Sequence, residues 1–417
     1  MNTPFDDSLP NAIRRRFPAL AHLHNGHPLL FADGPGGTQV PDRVIAAISD
    51  YLTNHNANSG GVFATSRETM TVIAEARLAA ARLLNAAAPE EIVFGHNMTS
   101  LTFAMSRALA RTWQAGDEMV VTALDHDANV APWLMAAEDR GAVVKTLPFA
   151  MPDATLRVED LCTLLSSRTR LVALTAAANS VGTIPDLAPL IAAAHAVGAL
   201  VYIDAVHYAP HGVIDVRAWN CDFLACSAYK FGGPHVGILY GRAELLESLT
   251  AYKVRTSSPV APGKWETGTQ NFSALAGLHA GIAYIGSLGA AVNDDPLSRA
   301  ALVAGMDRIG VHEQALSQHF LNGIATIPGL HLYGITDVQR SAQRTPTFGL
   351  TLTSCTPRQA SERLAAQGIC VWDGHFYAKG VVDQLGLADQ GGLLRMGFAH
   401  YTTHDEVERV VAALRGL

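Results

Sequence analysis

Between residues 40 and 245, short apolar, β-branched runs alternate with helical patterns, and this alternation constrains the fold more than any other feature of the chain. Strand candidates fall at 91–94, 118–122, 142–145, 171–175, 199–203 and 223–226, and helical patterns at 131–140, 157–165 and 187–197 separate most of them. Near-continuous apolar strands interleaved with helices predict a mainly parallel sheet covered on both faces. Ahead of it, Pro41 opens a helix in which Val44, Ile45, Ile48, Tyr51 and Leu52 recur at helical spacing. A second early helix carries Met70, Ile73, Ala76, Ala80 and Leu84. Beyond about residue 290 the texture changes to strands at 348–352, 369–372 and 393–397, with helices over 357–366 and from 403 onward. The expected architecture is α/β, with a large domain (29–290), a smaller α+β domain (291–417) and an N-terminal arm (1–28) packed on the small domain.

Composition limits what such a chain can do. Of 417 residues, 49% are apolar and 16% charged, which suits two or three packed cores. Thirty basic against 37 acidic residues give a net charge of −7, and the only basic run is Arg14-Arg15-Arg16. No clustered positive face is expected, and with it no nucleic-acid partner. The five cysteines (Cys162, Cys221, Cys226, Cys355, Cys370) form no CxxC pair, so neither a disulfide framework nor a zinc knuckle is indicated. The first ten residues carry no basic segment followed by an apolar one, so no secretory signal is read there. The longest apolar stretch, 187–203, is interrupted by Pro189, His195 and Gly198 and reads as helix, stop and strand rather than a membrane span. These features predict a cytoplasmic protein with no membrane partner.

In open α/β sheets, ligands bind beyond the carboxyl ends of the strands, so the residues just after each strand matter most. Asn97, Met98, Thr99 and Ser100 follow the first strand and lead into a helix; Asp125, His126, Asp127 and Asn129 follow the second. Asn179 lies beyond 171–175, Asp204 and His207 follow 199–203, and Ser227 and Lys230 follow 223–226. A helix N-terminus with Asn97, Thr99 and Ser100 offers donors to a phosphate. Asp204 at a strand end suits a heteroaromatic nitrogen, His126 suits stacking on a flat ring, and a buried Lys230 suits a Schiff base with an aldehyde. Together they point to pyridoxal 5′-phosphate (PLP). Singly each has a plainer reading: Lys230 as a snorkelling surface residue, Asp204 as a turn cap, His126 and Asn179 as loop residues, and Gly34-Pro35-Gly36-Gly37 as a turn. The constellation carries the weight.

At these residues the chain resembles the class V aminotransferases of fold type I, and more narrowly their cysteine desulfurase-like branch, which includes selenocysteine lyases and isopenicillin N epimerase-like proteins. The resemblance runs through Ile13-Arg14-Arg15-Arg16-Phe17-Pro18, LLFADGPGGTQVP (29–41), DHDANVAPW (125–133), ANSVG (178–182), IDAVHYAPHGVIDV (203–216), CDFLACSAYKFGGPHVGILYG (221–241), WETGTQN (265–271) and LLRMGFAHYTT (393–403). It implies the aspartate aminotransferase-like fold, with a seven-stranded type of sheet in the large domain. It also implies Lys230 as the Schiff-base lysine, Asp204 as partner of the pyridine nitrogen, His126 stacked on the ring, and Asn179 near the ring oxygen and substrate. Met98, Thr99, Ser227 and Tyr229 would surround the phosphate. Gly268 and Thr269 would reach the phosphate of a neighbouring subunit, which implies a homodimer with shared active sites. Arg395 would clamp the α-carboxylate of a small amino-acid substrate.

The chain also departs from the family pattern. His207 stands where the family usually has glutamine, still able to hydrogen-bond the ring oxygen, and Tyr229 stands where it has histidine. Gly34-Pro35-Gly36 replaces an asparagine-alanine-alanine loop. In VWDGHFYAKG (371–380), Tyr377 occupies the position of the catalytic cysteine and Trp372 that of an arginine. A phenol cannot accept sulfur as a persulfide. Cys370 reads as a buried strand residue and Cys355 as a loop residue, so the expected chemistry is β-elimination of C–S lyase type, with Tyr377 or His375 supplying an acid or second base. An aminotransferase, an epimerase, a true cysteine desulfurase and an inactive PLP-binding partner protein are the alternatives. A metalloenzyme using His22, His24 and His27, or His207 and His211, fits no recognised zinc spacing.

Overall fold

The structure is a computed structural model and describes residues 13–24, 26–291 and 294–417. Apart from a short antiparallel pair, Leu23–His24 with His27–Pro28, the strands are β1 (Leu30–Phe31), β2 (Ile92–Gly95), β3 (Glu118–Thr122), β4 (Val143–Leu147), β5 (Thr169–Thr175), β6 (Leu200–Asp204), β7 (Phe223–Ser227) and β8 (Gly237–Gly241). They are followed by β9 (Leu330–Tyr333), β10 (Thr347–Leu352), β11 (Ile369–Cys370), β12 (Trp372–Gly374) and β13 (Leu393–Gly397). Seven of them form one sheet in the order β2-β8-β7-β6-β5-β3-β4, parallel except for β8, which runs antiparallel to both neighbours.

Alternate residues of these strands enter two separate cores. Val120, Val172, Val201, Leu224 and Ile238 face one side, and Met119, Val121, Leu171, Tyr202, Phe223 and Leu239 the other. Burial on both faces is why the runs read as continuously apolar. The sequence places the six parallel strands to within a few residues but contains no explicit signal for β8, five residues bounded by glycines at Gly237 and Gly241. Its direction matters to the site. A parallel neighbour of β7 would need a long crossover, whereas the antiparallel β8 returns after residues 228–236, and that short connection carries Lys230.

A four-stranded antiparallel sheet, β9-β10-β13-β12, forms a second layer. Its core gathers Phe348, Leu350, Leu394, Met396 and Phe398 with Val407, Val410 and Val411 from the helix His404–Arg415. The helix Arg299–Ile324 serves both cores, the first through Leu302, Met306 and Ile309 and the second through Leu316, Phe320 and Ile324. The run read as one strand at 369–372 is divided: β11 pairs in parallel with β1, and β12 turns onto β13. Leu30 and Ala32 therefore belong to the second core. Within the described part of the N-terminal stretch, Phe17 packs 4.9 Å from the Tyr401 ring, and Arg14 pairs with Glu406 at 2.7 Å. Residues 1–12 and 25 of the expected arm lie outside the described residues.

The stretch 187–203 resolves into the helix Leu187–Ala196 followed by β6. Among the described residues one helix, Phe272–Gly289, is long and apolar enough to cross a membrane by length and composition. In this fold it packs against the helices Arg299–Ile324, Asp42–Asp50 and Ala64–Leu84.

Candidate active site

Strand register assembles the crevice. Thr175, the last residue of β5, lies level with Asp204, the last of β6, and Asp204 lies level with Ala225 of β7, two residues before Ser227. The carboxyl ends of adjacent strands therefore bring Asp204, Ser227 and the Lys230 turn to one edge of the sheet. Asp204 is fully buried; its Oδ1 accepts a 2.8 Å hydrogen bond from the Val206 N–H. Burial pushes its pKa up to about 6, offset by that bond and by the charge of Lys230.

Lys230 sits in a 3₁₀ turn, Ala228–Phe231, closed by Gly232 at φ +79°. The Gly34–Gly36 turn clasps this segment from outside. Lys230 Nζ donates to the Pro35 carbonyl at 2.5 Å, Thr38 N–H donates to the Tyr229 carbonyl at 3.2 Å, and Gly232 N–H donates to Thr38 Oγ1 at 2.7 Å. The lysine is 8% exposed, and burial lowers its pKa to about 7, helped by the Arg395 charge and opposed by Asp204. The snorkelling alternative fails on this burial. Tyr229 turns its ring onto His235, nearly parallel at 5.0 Å.

The helix Met98–Ala110 begins at this edge. Asn97 is its N-cap, accepting from Ser100 N–H at 2.9 Å, while Met98 N–H donates to Ser227 Oγ at 2.9 Å. Asn97 Oδ1 is thus committed to the cap, and with the Met98 and Ser100 N–H groups engaged, the N–H of half-buried Thr99 is what the first turn leaves for an anion. Gly237 lies directly behind: a Cβ on it would stand 2.5 Å from the Asn97 carbonyl carbon.

His126 follows β3 and accepts from the Ala128 N–H through Nδ1 at 3.0 Å. Burial, with the charges of Lys230 and Arg395, lowers its pKa to about 4, so the ring is neutral. The Tyr377 ring lies 5.3 Å from it, tilted by 30°. His207 is buried, and its Nε2 meets the hydroxyls of Thr345 (3.2 Å) and Thr347 (3.0 Å), leaving Nδ1 without a partner. Burial first, then the neighbouring His211 and Lys230, drive its pKa well down.

The remaining residues come from the second layer. Arg395 on β13 donates to the Asn179 carbonyl at 3.0 Å, and its guanidinium lies 4.2 Å from the Phe376 ring centre. Burial brings its pKa down to about 9, partly offset by Asp33. Asn179 in turn donates through Nδ2 to the Phe376 carbonyl at 2.9 Å. Phe376 and Tyr377 are successive left-handed residues (φ 52° and 57°), anchored by Asp127 N–H donating to the Tyr377 carbonyl at 2.7 Å. His375 Nδ1 accepts from the Tyr377 N–H at 3.0 Å. The Tyr377 side chain is 67% exposed. Gly268, at φ +77°, and Thr269 are both on the surface of this chain.

Pro35, Thr345, Thr347, Phe376 and Asp33 were missed as site residues by the sequence reading. They contribute through a carbonyl, hydroxyls at and just before the start of a distant strand, a ring beneath a guanidinium and a carboxyl near Arg395. No spacing pattern records such roles. Among the described residues no group of three or more His, Cys, Asp or Glu side chains is placed to hold a metal.

The polar atoms of the crevice fit PLP. Asn179 Oδ1, His207 Nδ1, Arg395 Nε and Asp33 Oδ1 are all buried without a hydrogen-bond partner, a costly condition unless a polar ligand meets them. A buried carboxyl, a near-neutral amine and a helix N-terminus at one strand edge match the ring nitrogen, aldehyde and phosphate of that cofactor.

The comparisons with known proteins agree. The pattern of the family described as Aminotransferase class-V matches residues 30–410. A cysteine desulfurase of Dickeya dadantii is 31% identical, the match covering 99% of this chain and 98% of that protein. One from Salmonella choleraesuis is 32% identical over 96% of each. Among solved structures, the cysteine desulfurase CsdA from Escherichia coli superposes with a TM-score of 0.83 at 27% identity, covering 99% of this chain and 98% of that one. A C-DES mutant with glycine covalently linked to its PLP cofactor shares the fold at TM-score 0.79 and 20% identity, covering 96% and 98%. The chain belongs to the class V aminotransferase family and is a PLP-dependent enzyme of its cysteine desulfurase-like group.

Proposed function

We propose that the protein is a C–S lyase that eliminates the β-substituent of an amino acid without forming an enzyme persulfide. One observation carries this reading. The loop crossing the ends of β3 and β5, tied there through Asp127 and Asn179, presents His375 and Tyr377 and no thiol. Cys370, nearest in sequence, lies on β11 against β1, where burial and Asp33 push its thiol pKa up. Cys221 and Cys226 are buried and pushed up to about 12. A thiolate nucleophile is disfavoured at these three positions.

Asp204 would hold the ring nitrogen of PLP, His126 its face, and Ser227 with the first turn at Met98 and Thr99 its phosphate. Bound there, PLP supplies an aldehyde for the substrate amine and a conjugated ring that takes up the electron pair left at the α-carbon. Arg395 would orient the α-carboxylate by its paired N–H groups, with Asn179 fixing that guanidinium. Lys230, its pKa near 7, has a large neutral fraction at neutral pH, and its Nζ would remove the α-proton. Tyr377 Oη would deliver a proton to the departing sulfur, with His375 positioning the tyrosine through its backbone. Gly268 and Thr269 would complete the phosphate site of a second copy in a homodimer. A chain without chemistry would have no use for a buried lysine held near neutrality beside a buried arginine.

The relatives' names favour a second reading, a true cysteine desulfurase. Product analysis with L-cysteine separates the two. Elimination consumes water and yields pyruvate, ammonia and hydrogen sulfide; alanine with protein-bound sulfur would overturn the lyase assignment.

A further inference from the structure

The geometry points to Trp372 as the side wall of the amino-acid site, selecting substrates whose β-substituent ends in an aromatic ring; this rests on the crevice being an amino-acid site, as proposed above. In the antiparallel pair of β12 and β13, Trp372 lies directly opposite Arg395. Directly opposed residues share a face of the sheet with Cβ atoms about 5 Å apart, so Trp372 and Arg395 leave the sheet side by side. On the other flank, β10 places Gly349 opposite Arg395, and the Ser180 carbonyl fills the space a side chain there would need. The site is therefore closed by backbone on one side and bounded by an indole on the other.

A second contact fixes the indole toward the lysine. Trp372 Nε1 lies 2.5 Å from where a Cβ on Gly36 would stand, so the ring rests on that glycine. The preceding residue, Pro35, is the one whose carbonyl receives Lys230 Nζ. Trp372 thus spans the gap between the arginine that would hold the carboxylate and the loop that holds the amine. Even so, the residue is 50% exposed, whereas Arg395 opposite it is 5% exposed. Phe376, beneath the guanidinium, supplies a second ring at the same place. A substrate fixed by its carboxylate and amine would run its β-substituent along the open indole face. A terminal thiol leaves that face in water, whereas a phenyl ring covers it and gains stacking.

The test uses PLP-loaded protein and calorimetric titration with L-2-amino-4-phenylbutanoate, which has no leaving group, and with L-alanine. The wild type should bind the phenyl compound roughly tenfold tighter, a factor in the range of aromatic stacking with ring burial. Trp372→Ala should abolish that ratio and Trp372→Phe should keep most of it, both with unchanged melting temperature. Equal affinity for the two ligands in the wild type, or a ratio untouched in Trp372→Ala, overturns the assignment. Incubation with S-phenyl-L-cysteine then separates the two proposals. A ratio that behaves as expected, with no thiophenol or pyruvate released, refutes elimination and upholds Trp372. Release of both products at rates that Trp372→Ala leaves unchanged, relative to L-cysteine, refutes Trp372 and upholds elimination.

Discussion

The Lys230 amine donates to the carbonyl of Pro35 across a separation of 195 residues, at 2.5 Å. The same turn holds both sides of the lysine segment through Thr38. The amine is therefore fixed by backbone from a distant part of the chain, in a crevice where burial has lowered its pKa to about 7.

That burial has a consequence for cofactor-free protein. With a native pKa of about 7 against an ordinary 10.5, the folded chain binds fewer protons than the unfolded chain between those values, so this group makes stability rise with pH across that window. Below pH 7 the buried ammonium costs up to about 5 kcal/mol. Lys230→Met should raise the melting temperature at pH 6, with the gain shrinking toward pH 10. A variant that melts at or below the wild type at pH 6 would contradict the lowered pKa. In the presence of PLP the same variant should lose activity and borohydride-stable attachment of the cofactor.

Among the described residues of the site, Arg395 is the one suited to a carboxylate by its paired donors. Arg395→Lys keeps the charge and loses the fork, and should raise KM for the amino acid about 10- to 100-fold, the range of a charge-assisted hydrogen bond. PLP should remain bound, which its absorbance reports. Unchanged KM would remove the arginine from substrate binding.

Tyr377 is exposed and makes no hydrogen bond through its phenol among the described contacts, so Tyr377→Phe should leave the melting temperature within about 1 °C. If the phenol protonates the leaving group, kcat for elimination should fall about 10- to 100-fold with KM little changed. The loss should shrink for substrates whose thiol leaves easily. Full kcat with a poor leaving group would reduce Tyr377 to packing.

Gly237 stands against the Asn97 backbone at the start of the helix Met98–Ala110. Gly237→Ala should push that first turn away from Ser227, costing about 1 to 3 kcal/mol of stability by overpacking. PLP affinity should fall more than tenfold, measured by equilibrium titration of the cofactor-free protein. A normal affinity would mean that this turn does not hold the phosphate.

Much of this site was legible in the sequence because its residues follow strands, and the strands are continuous apolar runs buried on both faces. Asp204, Ser227 and Lys230 were found by asking what comes next after such runs, and the register of β5, β6 and β7 brings them level. The antiparallel β8 was not legible: five residues that begin and end in glycine read equally well as loop, and only pairing with both β2 and β7 makes them a strand.

The sequence by itself determined the alternating α/β layers, the polar residues delivered to one end of the sheet and the absence of a thiol at Tyr377, because each depends on local periodicity or identity. Only the tertiary structure decided that Pro35 holds Lys230, that Thr345 and Thr347 meet Nε2 of His207, and that Trp372 stands opposite Arg395. Those contacts join segments far apart in the chain, set by how two sheets and one long helix pack, and close packing leaves no periodic trace in the sequence.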